Sequence, residues 1–249
     1  MSITPAFLAS VTSVEEALSA WRGGAGIVDC KDPSHGALGA LPVETVAAVR
    51  AALPASIPVS ATIGDLPAIP AALTAAVSAM AASGCDIVKI GFFPGGDAVA
   101  VIKALGGLRL PGVRLVGLLL ADFEPDCSLI PAMARVGFAG VMLDTAGKDG
   151  RALTDHLPSA ALIGFISAAH DCGLFAGLAG SLRLSHVAQL VQLRPDVLGF
   201  RGALCEGGLR TGALSQARVA AVRTSIESAA FPGEIASQGD GRRMTYEQR

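Results

Sequence analysis

Eight short apolar runs, each followed by an Ala-rich stretch of helical period, constrain this chain more than any other feature. The runs are Phe7–Val11, Gly26–Lys31, Pro58–Gly64, Asp86–Gly91, Leu115–Ala121, Gly140–Thr145, Phe175–Gly180 and Val197–Gly202. They are apolar on both faces and bounded by Gly or polar residues. That is the pattern of parallel strands covered on both sides. Helices are predicted over Ser13–Arg22, Val43–Ala52, Ala71–Ser83, Asp97–Leu105, Ser128–Val136, Ala160–Cys172, Ser185–Leu193 and Ser215–Ala229. The first opens with Ser13 three residues before Glu16, a capping pattern. Parallel neighbours need crossover connections, and these helices supply them. Eight units in 249 residues predict one α/β domain, a single (β/α)8 TIM barrel over residues 1–230. The rival is an open doubly wound sheet, but no Gly-x-Gly-x-x-Gly opens the first helix. The polar segment 231–249 reads as a flexible tail.

Composition narrows the function classes. The chain is 51% hydrophobic and only 4% aromatic, so its core must be built from aliphatic layers. A net charge of −2 argues against a general nucleic-acid binder. No apolar run is long enough for a membrane span, and Met1–Ser10 lacks the basic start of a secretory signal. The five Cys are widely spaced, with no Cys-x-x-Cys. They read as free thiols of a cytoplasmic protein, and neither a metal site nor a cofactor is expected. A homo-oligomer is compatible with all of this.

The chemistry shows in the scarcity of lysine. Of 19 Lys and Arg residues only four are Lys: Lys31, Lys89, Lys103 and Lys148. Lys31, Lys89 and Lys148 fall at or just beyond the C-terminal ends of predicted strands 2, 4 and 6, the face where barrel active sites are built. Alternate strands feed the same interior layer, so the three amines are expected to share one cavity. Burial and mutual repulsion favour a neutral amine, which can attack a carbonyl. Arg could not substitute, because it stays protonated. The competing reading is that each Lys makes an ordinary ion pair. Asp29 lies two residues before Lys31 on the same strand face, and Asp144 lies four before Lys148. Either can hold an ammonium or move protons. Asp65 is a weaker candidate, and Asp86 reads as a turn residue at the opposite end.

A second signal is anion binding. Gly180-Ser181 follows strand 7 and Arg201-Gly202 closes strand 8, where barrels often hold phosphate. Arg201 is expected to add a bidentate donor. The loop from Ser34 through Gly36 to Gly39, and Ser60 and Thr62 on strand 3, are further candidates. His35 lies on a candidate site loop, whereas His156, His170 and His186 read as surface or capping residues. The expected partner is a small phosphorylated carbonyl compound.

These residues also carry a family likeness. Asp29-Cys30-Lys31-Asp32-Pro33, Ser60-Ala61-Thr62-Ile63-Gly64-Asp65, Val88-Lys89-Ile90-Gly91, Met142-Leu143-Asp144-Thr145-Ala146, Lys148-Asp149-Gly150, Ala179-Gly180-Ser181 and Gly199-Phe200-Arg201-Gly202-Ala203 resemble the (5-formylfuran-3-yl)methyl phosphate synthases. The likeness runs from about Leu8 to Arg223, and only the set of motifs is specific. It implies a barrel lyase that joins two molecules of glyceraldehyde 3-phosphate, losing phosphate and water, in the biosynthesis of a methanofuran-like one-carbon carrier. It implies that Lys31 forms the Schiff base, that Lys89 accepts a proton, and that Asp29, Asp144 and Lys148 assist. The stretches Ser34-His35, Phe92–Asp97 and Leu118–Asp122 depart from the family pattern. Another lysine-imine aldolase and a non-catalytic phosphate-ligand binder are the alternative readings.

Overall fold

The computed structural model describes residues 4–147 and 149–230. Eight parallel strands pair in chain order and close on themselves. They are β1 (Ala6–Val11), β2 (Ile27–Cys30), β3 (Val59–Thr62), β4 (Ile87–Phe92), β5 (Arg114–Leu120), β6 (Gly140–Asp144), β7 (Phe175–Leu178) and β8 (Val197–Phe200). Helices α1 (Val14–Arg22), α2 (Val43–Ala52), α3 (Pro70–Ala81), α4 (Ala98–Leu105), α5 (Ile130–Arg135), α6 (Leu153–His156), α7 (Ser159–Asp171), α8 (Leu184–Gln192) and α9 (Gln216–Ala230) fill the crossovers.

Strand alternation divides the core in two. Phe7, Ala9 and Val11 of β1, with Val141 and Leu143 of β6, face outward under the helices. Leu8, Ile87, Val116, Leu118, Met142 and Val197 face inward and fill the lower barrel. Burial on both faces is why the strands read as continuous apolar runs. The inward layer needs small residues where Met142 crosses it: a Cβ at Gly177 would lie 2.4 Å from the Met142 Cγ. Above this apolar plug the inward positions turn polar, with Ser10, Asp29, Ser60, Lys89 and Asp144 all buried.

Every predicted strand is present, most of them trimmed by a few residues at the ends. Two helical expectations need correction. The predicted helix Ser128–Val136 begins as a tight turn, Cys127–Leu129, where Asp126 accepts the Ser128 N–H, and only Ile130–Arg135 is α-helical. The one-turn helix α6 was not anticipated, because a four-residue element carries too little periodicity to register. Ser13 does cap α1, accepting the Glu16 N–H at 3.3 Å. Glu16 does not complete the capping box; its carboxylate turns to Thr12 and Arg201.

The β2–α2 connection shapes the mouth. Leu38 is fully buried and packs into the barrel-interior cluster. Both oxygens of Asp65 hold the loop, accepting the Ala37 and Leu38 N–H groups at 2.7 Å each. This roof covers the mouth beside β3 and β4. The cavity that remains is lined from the ends of β1, β2, β6, β7 and β8.

Candidate active site

The opening is a cavity of about 290 Å³ at the C-terminal ends of the strands. Asp29, Lys31, Lys89 and Asp144 line it, together with Ser10, Gly180, Ser181, Arg183, Arg201, Gly202 and Arg210. Strand register explains the convergence. Asp29 on β2 is opposite Ser10 on β1 and Ser60 on β3. Both hydroxyls donate to its carboxylate, Ser10 at 2.9 Å and Ser60 at 2.6 Å. Lys89 enters from β4 and sets its Nζ 2.8 Å from the same carboxylate. Lys31 lies one residue past β2 and reaches across to Asp144 on β6 at 2.9 Å. The second Asp144 oxygen accepts the Thr145 N–H at 2.8 Å.

The pairing differs from the sequence expectation in one respect. Asp29 and Lys31 share a strand face, but each finds its partner on another strand: Asp29 with Lys89, Lys31 with Asp144. Residues two apart on a strand point the same way, about 7 Å apart, whereas inward side chains of strands with the same parity, β2, β4 and β6, meet in the interior of the closed barrel. Lys103 lies exposed on α4, as a lysine outside the site should. Lys148 lies outside the described residues. The loop leading to it is held by Asp122, which accepts the Ala146 N–H at 2.9 Å and the Gly147 N–H at 2.6 Å. Burial raises the Asp122 pKa, but these backbone bonds outweigh it and hold the carboxylate below its usual range.

The anion-binding candidates sort less simply. Gly180, Ser181 and Gly202 line the cavity. Gly180 has φ of +106°, and a Cβ there would lie 2.8 Å from Thr145 Cγ2, so the turn after β7 requires glycine. Ser181 follows at φ of 49°, a left-handed conformation uncommon for a side-chain-bearing residue. Ser60 serves Asp29 rather than the open cavity. Thr62 donates to the Gly39 carbonyl at 2.9 Å. Ser34 borders a separate side pocket with Thr12, Glu16 and Asp32. Gly36 packs against Asp65, whose carboxylate is spent on the loop amides.

Arg201 requires a correction. Its Nε donates to the Arg210 carbonyl at 2.8 Å, Nη1 to the Ser10 carbonyl at 3.1 Å and Glu16 at 2.5 Å, and Nη2 to Glu16 at 3.2 Å and the Gly212 carbonyl at 3.1 Å. A guanidinium has five N–H donors, and all of them are used within the protein. Arg201 fastens the loop after β8 to β1 and α1, and leaves no donor for a phosphate. Burial works to raise the Glu16 pKa, but the Arg201 hydrogen bond and charge, with Thr12, hold it below its usual range. The sequence reading passed over Arg183 and Arg210. Arg183 was open to detection, being two residues beyond Gly180-Ser181 at the start of α8. Arg210 had no local signal, since only the fold of its loop turns it inward.

A closed parallel barrel with amines and carboxylates paired at the C-terminal mouth defines the class: a (β/α)8-barrel enzyme. Solved structures share the fold. Phosphoribosyl anthranilate isomerase from Thermus thermophilus superposes with a TM-score of 0.64 at 17% identity, over 89% of this chain and 98% of that one. The sequence gives the particular family. Residues 7–223 match the profile of the 4-HFC-P synthase family, and the chain belongs to that family. A Methylorubrum extorquens protein to which (5-formylfuran-3-yl)methyl phosphate synthase activity is provisionally assigned is 42% identical over 219 residues, 88% of this chain and 90% of its own. The (5-formylfuran-3-yl)methyl phosphate synthase of Methanothermobacter thermautotrophicus is 36% identical, over 89% of this chain and 98% of its own length. That of Methanocaldococcus jannaschii is 35% identical, over 82% and 91%.

Proposed function

We propose that this enzyme joins two molecules of glyceraldehyde 3-phosphate into (5-formylfuran-3-yl)methyl phosphate, with loss of phosphate and water, on the way to a methanofuran-like one-carbon carrier. One observation carries the reading: two amines, each with its own carboxylate, open into a single cavity. Lys31 is the nucleophile. Asp144, at 2.9 Å, is positioned to take its proton. The neutral amine adds to the aldehyde carbon, and loss of water leaves an imine. Lys89 and Asp29 then take the proton from the carbon next to the imine. The resulting enamine attacks the carbonyl of the second aldehyde and forms the new carbon–carbon bond. Dehydration and phosphate elimination follow, and the same acid–base pairs serve them. Lys148 assists in these transfers, and Gly180, Ser181 and Gly202 receive the phosphoryl group.

The setting is inferred as the cytoplasm, in keeping with five cysteines that are all free thiols. Among the described residues no helix is long and apolar enough to cross a membrane.

Borohydride reduction in the presence of glyceraldehyde 3-phosphate, followed by mass mapping, tests the chemistry. The expected result is a triose adduct on Lys31, with a near-ultraviolet furan absorbance building up when reductant is left out. An adduct without the furan signal would mark an ordinary aldolase. No adduct at all would mark a phosphate-ligand binder.

A further inference from the structure

The charges lining the cavity do not balance. Lys89 offsets Asp29, Lys31 offsets Asp144, and Arg201 is matched by Glu16. Among the described residues two lining cations remain, Arg183 and Arg210. Both donate to backbone carbonyls and not to carboxylates. Arg183 Nη2 bonds the Gly150 carbonyl at 2.7 Å. Arg210 Nη2 bonds the carbonyls of Pro33 and of Gly36, the latter at 3.1 Å. A carbonyl satisfies a donor but leaves the positive charge in place. Counted over the lining side chains among the described residues, positive charge is in excess and draws anions in, with Asp65 and Asp32 the nearest carboxylates behind Arg210.

The two arginines stand at different depths and on different loops. Arg183 is exposed at the rim, between the β7 and β6 connections. Arg210 is half-buried and spans from the β8 connection to the loop that begins at Lys31. Burial lowers the Arg210 pKa from its usual value, against the attraction of Asp144, Asp65 and Asp32. It stays charged, since arginine does not lose its proton in proteins. Among the described residues, the side-chain hydrogen bonds of both run through Nη2 alone. The Nε and Nη1 hydrogens of each remain to donate to phosphate oxygens.

We propose that Arg183 and Arg210 are two separate phosphate-recognition residues of this cavity, one for each phosphoryl group brought in by a pair of phosphorylated aldehydes. The identity of the aldehydes rests on the condensation reading above; the phosphate sites do not.

Calorimetry of the full-length protein with inorganic phosphate at low ionic strength tests this directly. Two phosphates per chain are expected for the wild type. Arg183→Met and Arg210→Met each lose a different one. Arg183→Lys and Arg210→Lys keep both, about tenfold weaker, because charge is retained while the additional planar N–H donors are lost. Thermal melting checks that the Met variants are folded. Borohydride labelling of Lys31 by glyceraldehyde 3-phosphate then needs at least about tenfold more substrate in either Met variant, while labelling by unphosphorylated glyceraldehyde is unchanged. A single site in the wild type, two undiminished sites in the Met variants, or equal weakening with both aldehydes would overturn the proposal. Failure of glyceraldehyde to label wild-type Lys31 would instead sink the imine chemistry, and the phosphate count would still stand.

Discussion

The two ion pairs of the cavity are built to different standards. Lys89–Asp29 is anchored entirely on strands, and the carboxylate also accepts two serine hydroxyls. Its side chains are 4% and 1% exposed. Lys31–Asp144 sits higher, at 12% and 8% exposed, and Lys31 lies where β2 gives way to a long loop. A group caged by three strands suits repeated proton transfer, where fixed geometry matters most. An amine at a strand end can swing from its carboxylate to a carbonyl carbon. In the mechanism proposed above, burial is what separates two chemically identical pairs into a relay and a nucleophile.

Lys31→Arg should break this contrast most severely. The charge toward Asp144 is kept, so melting should change little, but no imine can form. Turnover should fall on the order of 10⁴-fold or more. Steady-state rates with appreciable residual activity would remove Lys31 from the role of nucleophile. Asp29→Asn should come next. It leaves Lys89 charged and unpaired in the barrel, at a cost of about 3–5 kcal/mol, and should slow turnover by about 10²–10⁴. Denaturant unfolding reads the first number and initial rates the second. Asp144→Asn sharpens the comparison: the outer pair is somewhat nearer water, so the stability loss should be smaller, about 1–3 kcal/mol, between the exposed-pair and buried-pair ranges. If the two Asn variants destabilise equally, the inner pair is no more caged than the outer.

The smallest effect concerns His186, whose ring accepts the Arg183 N–H at 3.2 Å. Burial and then the Arg183 charge lower its pKa below 6.5. A base with a lowered folded-state pKa contributes stability that is full above the unfolded value and lost as pH falls through the folded one. Melting curves from pH 7.5 down to 5 should therefore show His186→Gln losing less stability than the wild type. Parallel losses would remove the histidine from the cap.

The fold was legible because it is written in periodicity. Short apolar runs such as Gly140–Thr145, bounded by Gly and polar residues, read as strands covered on both faces, and helices between them force parallel pairing. Lys31 and Lys89 were legible because lysine is rare here and both fall at strand ends. Their partners were not. Asp29 reaches Lys89 and not Lys31 because barrel closure and register set which inward side chains meet, and neither is a local property. Arg201 misled for a related reason: position put it at the right strand end, but Glu16, 185 residues away, had already claimed it.

What the sequence alone determined is the barrel, the family and the strand ends at which Lys31 and Lys89 fall, since those follow from pattern and residue type along the chain. What only the tertiary structure decided is the division of charge. Which lysine meets which aspartate, which arginine is claimed by a carboxylate and which meet only backbone carbonyls depend on distances across the barrel. Electrostatic and hydrogen-bond energies fall off over a few ångströms in space, whatever the separation along the chain.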